Sequence, residues 1–183
     1  MAETSKMIPL GSLAPSFRLQ DTVSGKQLSL SDLASGKATV VMFICNHCPY
    51  VKHIQTKLVE VAKKYQASGV SFIAISSNDP IGYPQDGPEA MKQEALQHGY
   101  TFPYLFDADQ SVARAYQAVC TPEFYVFDKD LHCVYRGRFD DSSPKNGLAY
   151  TGKDLTQALD DLLVGKPVSG EQFAAIGCGI KWR

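Results

Sequence analysis

The sequence predicts an α/β fold in which a central mixed β-sheet carries helices on its faces. Two apolar runs rich in β-branched residues, ATVVMFI (38–44) and VSFIAISS (70–77), are typical of strands that are buried on both sides. A segment with helical spacing lies between them, and a two-strand segment and a last helix follow later. This alternation of strands and helices indicates one sheet packed between helices.

The first elements are a hairpin and then a strand–helix–strand unit. SFRLQ (16–20) and KQLSL (26–30) flank a loop of more than two residues and predict an N-terminal β-hairpin extension. After the strand at 38–44, apolar positions recur at helical spacing, and Gly69 is a candidate cap for the end of that helix. These helical positions are Ile54, Leu58, Val61 and Tyr65.

The later elements complete the predicted order, which is strand–helix–strand, a helix, two strands and a helix. Asp154 is a candidate N-cap for the last helix, since aspartate favours that position. The tail AAIGCGIKWR carries no predicted element. The segments are a helix at 89–99, a strand at 102–107, a short helix at 109–117, two strands in 121–139 joined at DKD, and a helix at 154–165.

Length and composition indicate one soluble domain covering residues 1–183. The chain is 44% hydrophobic and 20% charged with a net charge of −1, so no global field favours nucleic acid or an anionic membrane. No stretch approaches the apolar length that spans a bilayer. The start, MAETSKMIPLGSLAPSF, lacks the continuous apolar segment of a secretory signal, and we expect a cytoplasmic protein.

The five cysteines point to redox or metal chemistry. Their odd number, in a chain too large to need stapling, does not fit a secreted disulfide framework. Cys45 and Cys48 form a C-x-x-C pair directly after the strand at 38–44 and directly before Pro49. In a reducing compartment, a close pair more often signals a redox dithiol or a metal site.

The position of the pair favours thiolate chemistry. With Asn46 as a candidate N-cap, Pro49 falls in the first turn, where its missing N–H costs little, so the helix is expected to begin at about 46 to 48. Both sulfurs then lie at the positive end of the helix dipole, which lowers the pKa of a thiol. His47 adds positive charge when it is protonated. The two-residue spacing of Cys45 and Cys48 also permits a disulfide.

Two other interpretations compete with a redox dithiol. The thiols could be structural and buried, or they could bind a metal together with His47, His53 and Cys120. Zinc sites usually pair two ligand clusters, and the sequence has no second C-x-x-C or H-x-x-x-H. We therefore predict disulfide exchange at Cys45 and Cys48, with no metal and no cofactor.

Several motifs resemble the thioredoxin-like superfamily and, within it, the peroxiredoxin-like branch of the AhpC/TSA family. The resemblance implies a thioredoxin-like fold and assigns Pro122 as the cis-proline whose loop lies against the dithiol. The backbone around Thr121 could then pair with a substrate chain. The motifs are APSFRLQD (14–21), NHCPYV (46–51), FPYLFDADQSVARAY (102–116), TPEFYVFDKDLHCVYRG (121–137) and GCGIKWR (177–183).

The sequence departs from this family where peroxide would bind. Peroxiredoxins carry Pro-x-x-x-Thr/Ser-x-x-Cys, but counting back from Cys48 gives Cys45 and Val41, and counting back from Cys45 gives Met42 and Ala38. Efficient peroxide reduction is therefore not expected. The strand before the pair also lacks the buried acid that thioredoxins use as a general base.

These observations predict a cytoplasmic thiol-disulfide oxidoreductase, with antioxidant defence as a candidate role. Cys45, expected to be the more exposed, is assigned as nucleophile and Cys48 as resolving thiol, with Cys120 as a possible third thiol. Cys178 receives no role. Expected partners are protein or small-molecule disulfides and a thiol reductant such as a thioredoxin system, with no nucleic acid or membrane; the oligomeric state stays open. The alternatives are a thiol peroxidase and a metal- or copper-binding protein.

Overall fold

A computed structural model describes residues 2–183 and contains a seven-stranded mixed sheet. The strand order is β3-β2-β6-β5-β4-β8-β9, in which β4 pairs parallel with β5 and antiparallel with β8. The predicted hairpin is confirmed as the antiparallel pair β2–β3 at one edge. The strands are β2 (Arg18–Asp21), β3 (Gln27–Ser29), β4 (Ala38–Phe43), β5 (Val70–Ser76), β6 (Tyr104–Phe106), β8 (Glu123–Asp128) and β9 (Cys133–Gly137).

Helices cover both faces of this sheet. The central strand β4 is buried at all six positions, and its alternating side chains enter two different clusters. Val40 and Met42 pack with α2, α3 and α5 on one face, whereas Val41 and Phe43 pack with α1 and α4 on the other. The helices are α1 (Leu30–Leu33), α2 (Pro49–Gln66), α3 (Pro88–Gln97), α4 (Ser111–Ala115) and α5 (Lys153–Leu163), with a 3-10 turn at Pro84–Asp86.

A second sheet, which the sequence did not predict, joins the two ends of the chain. It has three antiparallel strands in the order β1-β10-β7, formed by Ala2–Thr4, Ile176–Gly179 and Cys120–Thr121. Strand β10 reads IGCG, and this short glycine-rich run has none of the periodicity that predicts a strand. The small sheet brings the C-terminal tail to the chain just before Pro122.

Three predicted helix caps are wrong, and one of them is Gly69, since α2 ends with Ala67 as its C-cap. Cys48 caps α2 and Pro49 occupies its first position, because the Asn46 side chain bonds to Gln85 and Tyr104 instead of to the helix. Gly152, with φ 73°, precedes α5, while Asp154 lies in its first turn and pairs with Arg138. Among the helices described for residues 2–183, none combines the length and apolar character that a bilayer-spanning segment requires.

Candidate active site

The C-x-x-C pair lies where β4 gives way to α2. Cys48 is the N-cap of α2, and the fixed φ of Pro49 suits the first helical position. Both thiols are buried, with Cys45 1% and Cys48 0% exposed. The expectation that Cys45 is the more exposed sulfur is therefore wrong, because the cis-proline loop and the C-terminal tail close over the pair.

Thr121 contacts both sulfurs. The Cys45 Sγ lies 3.4 Å from Thr121 Oγ1, and the Cys48 Sγ lies 3.2 Å from the Thr121 carbonyl oxygen. The peptide bond between Thr121 and Pro122 is cis, which confirms the assignment of Pro122. The loop that the family resemblance places against the dithiol does lie against it.

The two thiols differ in acidity. A hydrogen bond from the Cys45 thiol is the main cause that lowers the pKa of Cys48 to about 5, against the opposing effect of burial. Hydrogen bonds from Cys178, from Thr121 and from the Val51 backbone N–H add to the lowering. The same Cys45–Cys48 hydrogen bond, together with burial, raises the pKa of Cys45. Of the two thiols, Cys48 is therefore the more acidic.

A buried carboxylate organises the loop that carries the pair. Asp86 is 0% exposed, and its Oδ1 accepts hydrogen bonds from the backbone N–H of Asn46 at 2.8 Å and of His47 at 3.3 Å. Its Oδ2 accepts from Asn78 Nδ2 at 2.8 Å and pairs with His47 Nδ1. The charge of Asp86 also contributes to raising the pKa of Cys45.

Asp86 is a site residue that sequence reasoning missed. It lies 38 to 41 positions along the chain from the pair, in a loop segment that reads as an ordinary turn. Its one signal in the sequence is that it is an acid in the GYPQDGP loop after β5. Because β5 lies beside β4 and runs parallel to it, residues that follow β5 lie near those that follow β4.

The other predicted supporting residues join the same network. Asn46 Nδ2 donates to the Gln85 carbonyl at 2.8 Å, and Asn46 Oδ1 accepts from the Tyr104 hydroxyl at 2.9 Å. The His47 ring stacks on Tyr83 with ring centres 5.3 Å apart. Asn46 and His47 therefore hold the loop in place.

The third thiol beside the pair is Cys178. Cys120 is fully buried, and its sulfur faces a Glu123 carboxylate oxygen at 3.7 Å and the Ala175 carbonyl at 3.9 Å. Burial raises the pKa of Cys120, which keeps this thiol protonated. Cys178, to which the sequence assigned no role, packs against the cluster that contains Cys45 and Cys48 and lies opposite Thr121 in the β10–β7 pair.

One side-chain cluster near the pair has the donor set of a metal site. The ligand atoms of Cys45, His47 and Asp86 all lie within 4.8 Å of one another. Asp86 already accepts hydrogen bonds on both oxygens from Asn46, His47 and Asn78. A metal ion would have to displace part of this network, so the trio fits a hydrogen-bonded loop better than a preformed metal centre.

A cavity of about 310 Å³ opens beside the cis-proline. Its lining includes Tyr50 from the first turn of α2, Pro122 from the cis-proline loop and Ile176 from β10. His53 and Ser142 lie farther along the wall, where His53 Nε2 is 3.1 Å from Ser142 Oγ. The cavity gives a small molecule room to approach the loop next to the dithiol.

Comparison with known proteins decides the family. The model of the AhpC/TSA family matches residues 10–136, more than half of the chain. The chain belongs to the AhpC/TSA family. It is 28% identical over 123 residues to the thiol-disulfide oxidoreductase ResA of Geobacillus thermodenitrificans, a match that covers 67% of this chain and 66% of that protein. The thiol-disulfide oxidoreductase YkuV of Bacillus subtilis is 26% identical over 56% of this chain and 68% of its own.

Solved structures confirm the thioredoxin-like fold. An uncharacterised conserved protein of Geobacillus kaustophilus superposes with a TM-score of 0.99 at 55% identity, covering 100% of this chain and 97% of that one. A hypothetical protein of Sinorhizobium meliloti gives a TM-score of 0.96 at 43% identity, covering 98% of each chain. The thioredoxin domain of a Bacteroides vulgatus thiol-disulfide oxidoreductase, at 20% identity, gives 0.62 over 73% of this chain and 91% of its own.

Proposed function

We propose that this AhpC/TSA-family chain is a thiol-disulfide oxidoreductase that works through Cys45 and Cys48. The observation that carries the proposal is the placement of both sulfurs against Thr121, with Cys48 at the N-terminus of α2. A thiolate at that position is the attacking species in thiol–disulfide exchange. The names of the ResA and YkuV relatives support the same activity.

The geometry favours Cys48 as the attacking thiol, which reverses the assignment made from the sequence. Both cysteines are buried, so exposure does not distinguish them, and the lower pKa of Cys48 favours it as the nucleophile. The Cys48 thiolate attacks one sulfur of a substrate disulfide and the other sulfur leaves as a thiolate. Cys45 then loses its proton to that leaving group and attacks Cys48, which releases the second substrate thiol and closes the Cys45–Cys48 disulfide.

The proposed partners are protein or small-molecule disulfides and a thiol reductant such as a thioredoxin system. The proposed setting is a reducing, cytoplasmic one, with a part in antioxidant defence. The odd number of cysteines, in a chain too large to need stapling, does not suit a secreted disulfide framework and supports a reducing compartment.

Turnover tests the activity and the residue roles together. With dithiothreitol as electron donor, we expect the wild-type protein to reduce insulin disulfides or glutathione disulfide catalytically. Cys48→Ser, which removes the attacking thiol, should fall to the uncatalysed rate. Cys133→Ser is the matched control, because Cys133 is a buried thiol on strand β9 whose sulfur bonds to the Tyr135 carbonyl, and it should keep full activity. A Cys48→Ser variant as active as wild type would overturn the proposal.

Family membership also favours a thiol peroxidase as the second candidate. The same Cys48 thiolate would attack a peroxide, but Cys45 stands three residues before it, where peroxiredoxins carry a hydroxyl. We expect stopped-flow oxidation of the reduced protein by hydrogen peroxide to be far slower than for dedicated peroxidases. A rate comparable to theirs would make peroxide reduction the main function. Metal analysis of the purified protein checks the metal-binding alternative.

A further inference from the structure

The C-terminal strand occupies the backbone edge that precedes the cis-proline. Strand β10 pairs antiparallel with β7 so that Cys178 lies directly opposite Thr121 and Gly179 opposite Cys120. This is the edge at which, from the sequence, a substrate chain was expected to pair. A cysteine of the protein itself therefore occupies the place where a substrate cysteine would lie.

Glycines on either side of Cys178 make this close approach possible. A Cβ on Gly177 would lie 2.0 Å from the Thr121 carbonyl oxygen, and a Cβ on Gly179 would lie 2.9 Å from Glu3 Cγ. The Thr121 carbonyl belongs to the backbone, so only glycine fits at position 177, whereas a Cβ at position 179 would require the Glu3 side chain to move. The packing of both flanking residues fixes where the Cys178 side chain stands.

Cys178 is also more exposed than Cys45 or Cys48. Of the five cysteines, the other four are buried and Cys178 is half-buried. Its side chain packs against the cluster that contains Cys45 and Cys48, and it lies opposite Thr121, whose carbonyl oxygen is 3.2 Å from the Cys48 sulfur. The site thus brings three cysteines together, with Cys45 and Cys48 inside the cluster and Cys178 packed against it.

We propose that Cys178 is a second resolving thiol, which forms a Cys48–Cys178 disulfide as an intermediate of the exchange reaction. This inference rests on the proposed function and extends it to a third residue. After Cys48 has attacked a disulfide R–S–S–R′ and released R′–S⁻, the sulfur of Cys178 attacks Cys48 Sγ. The bond between Cys48 and R breaks, R–S⁻ leaves, and the proton of Cys178 passes to it.

The electrons balance over the full series of reaction steps. Cys48 and Cys178 together lose two electrons, and the substrate disulfide is reduced to two thiols. Cys45 can then attack Cys48 and expel Cys178, which moves the disulfide to Cys45–Cys48 and restores the Cys178 thiol. Cys178 acts before Cys45 because its sulfur is the more exposed, whereas Cys45 is 1% exposed.

The electrostatics change in the direction that this step requires. Burial and then the Cys48 hydrogen bond and charge raise the pKa of Cys178 to about 12 in the reduced site. A mixed disulfide removes the charge of Cys48, and with it the second of these causes. Cys178 therefore becomes more acidic once Cys48 carries a substrate sulfur.

Glutathione disulfide and Cys45 variants test the inference. In Cys45→Ser, which keeps a hydroxyl near Thr121, we expect glutathione to be released and peptide mapping to find Cys48 joined to Cys178. Cys45→Ser/Cys178→Ser should instead retain one glutathione on Cys48. Cys45→Ser/Cys120→Ser is the matched control and should still form the Cys48–Cys178 bond. Cys45→Ala, which carries no polar group, repeats the test independently.

Three results would overturn the inference. They are a stable glutathione adduct on Cys48 in Cys45→Ser with Cys178 free, a disulfide that excludes Cys178, and no reaction at Cys48. The wild-type protein in the same buffer separates this inference from the proposed function. If it forms a reversible Cys45–Cys48 disulfide while Cys45→Ser keeps its adduct, only the role of Cys178 fails. If it forms none, the proposed function fails too.

Discussion

At the scale of single residues, the shape of the active-site loop depends on Asp86. Its two oxygens accept hydrogen bonds from two backbone N–H groups and one side-chain amide, and it pairs with His47. Such a buried acceptor is satisfied only while every donor stays in place. The carboxylate therefore positions Asn46 and His47, and through them the ends of the C-x-x-C segment.

Asp86→Asn should destabilise the protein by about 1–3 kcal/mol. The new amide group can replace only one of the two carboxylate oxygens as an acceptor, so either Asn78 or the loop backbone loses its partner. Urea unfolding measures the loss. Asp130→Asn is the matched control, because Asp130 is exposed and its side chain pairs only with Lys129, so its effect should stay within about 0.5 kcal/mol. Equal stabilities for the two variants would contradict this role of Asp86.

The acidity of Cys48 predicts how the reduction potential depends on pH. Because the pKa of Cys48 is lowered to about 5 and that of Cys45 is raised, the reduced pair holds one proton between these values. Reduction then takes up one proton with two electrons, so the potential should rise by about 30 mV for each unit that the pH falls. Below about pH 5 the slope should become twice as steep. Equilibration with glutathione redox buffers at several pH values measures this dependence of the reduction potential. The steeper slope over the whole pH range would contradict the lowered pKa of Cys48, because two ordinary thiols give that slope.

At the scale of secondary-structure elements, strand β10 holds the cis-proline loop in place. It pairs with β7 and with β1, and beyond it the Lys181 backbone N–H donates to Asn78 Oδ1 at 2.8 Å. Asn78 in turn binds Asp86. The tail is thereby connected to both sides of the active site, to Thr121 on one side and to the C-x-x-C loop on the other.

Gly177→Ala should loosen this strand. The added methyl group would overlap the Thr121 carbonyl oxygen, so β10 must move away at a cost of about 1–3 kcal/mol. Gly170→Ala is the control, because a Cβ at Gly170 has nothing within 4 Å. Thermal unfolding compares the two. A Gly177→Ala variant as stable as Gly170→Ala would show that β10 does not pack on Thr121 as described.

At the scale of the whole molecule, one sheet separates two hydrophobic clusters, and the candidate active site lies at the end of β4. Helices α2, α3 and α5 share the cluster that includes Cys45 and Cys48. Leu159 is buried in that cluster from α5, whereas Leu96 of α3 is 63% exposed. The packing around α5 therefore supports the same face of the sheet as the dithiol.

Leu159→Ala should cost about 2–5 kcal/mol of unfolding free energy, because the cavity left behind adds to the lost burial. Leu96→Ala removes the same atoms from an exposed position and should stay within about 0.5 kcal/mol. Urea unfolding at a single pH compares the two variants. Similar midpoints would mean that α5 does not cover this face.

The sequence predicted what local patterns determine and missed what long-range contacts determine. The buried run at 38–44 and the helical spacing after Pro49 identified β4 and α2, and the C-x-x-C pair lies between them as expected. Asp86 and Cys178 were missed because each reaches the site through a loop or strand whose own pattern is featureless. Exposure at Cys45 was misjudged because the covering elements come from distant parts of the chain.

The central claim is that Cys45 and Cys48 form a reversible disulfide, and peptide mapping after controlled oxidation tests it most directly. The reduced protein is equilibrated with a mixture of reduced and oxidised glutathione, quenched with acid, alkylated and digested. The account predicts one peptide pair that joins Cys45 to Cys48 and disappears when the glutathione is shifted to its reduced form. A mapped disulfide that excludes both residues, or free thiols at both under fully oxidising conditions, would contradict it.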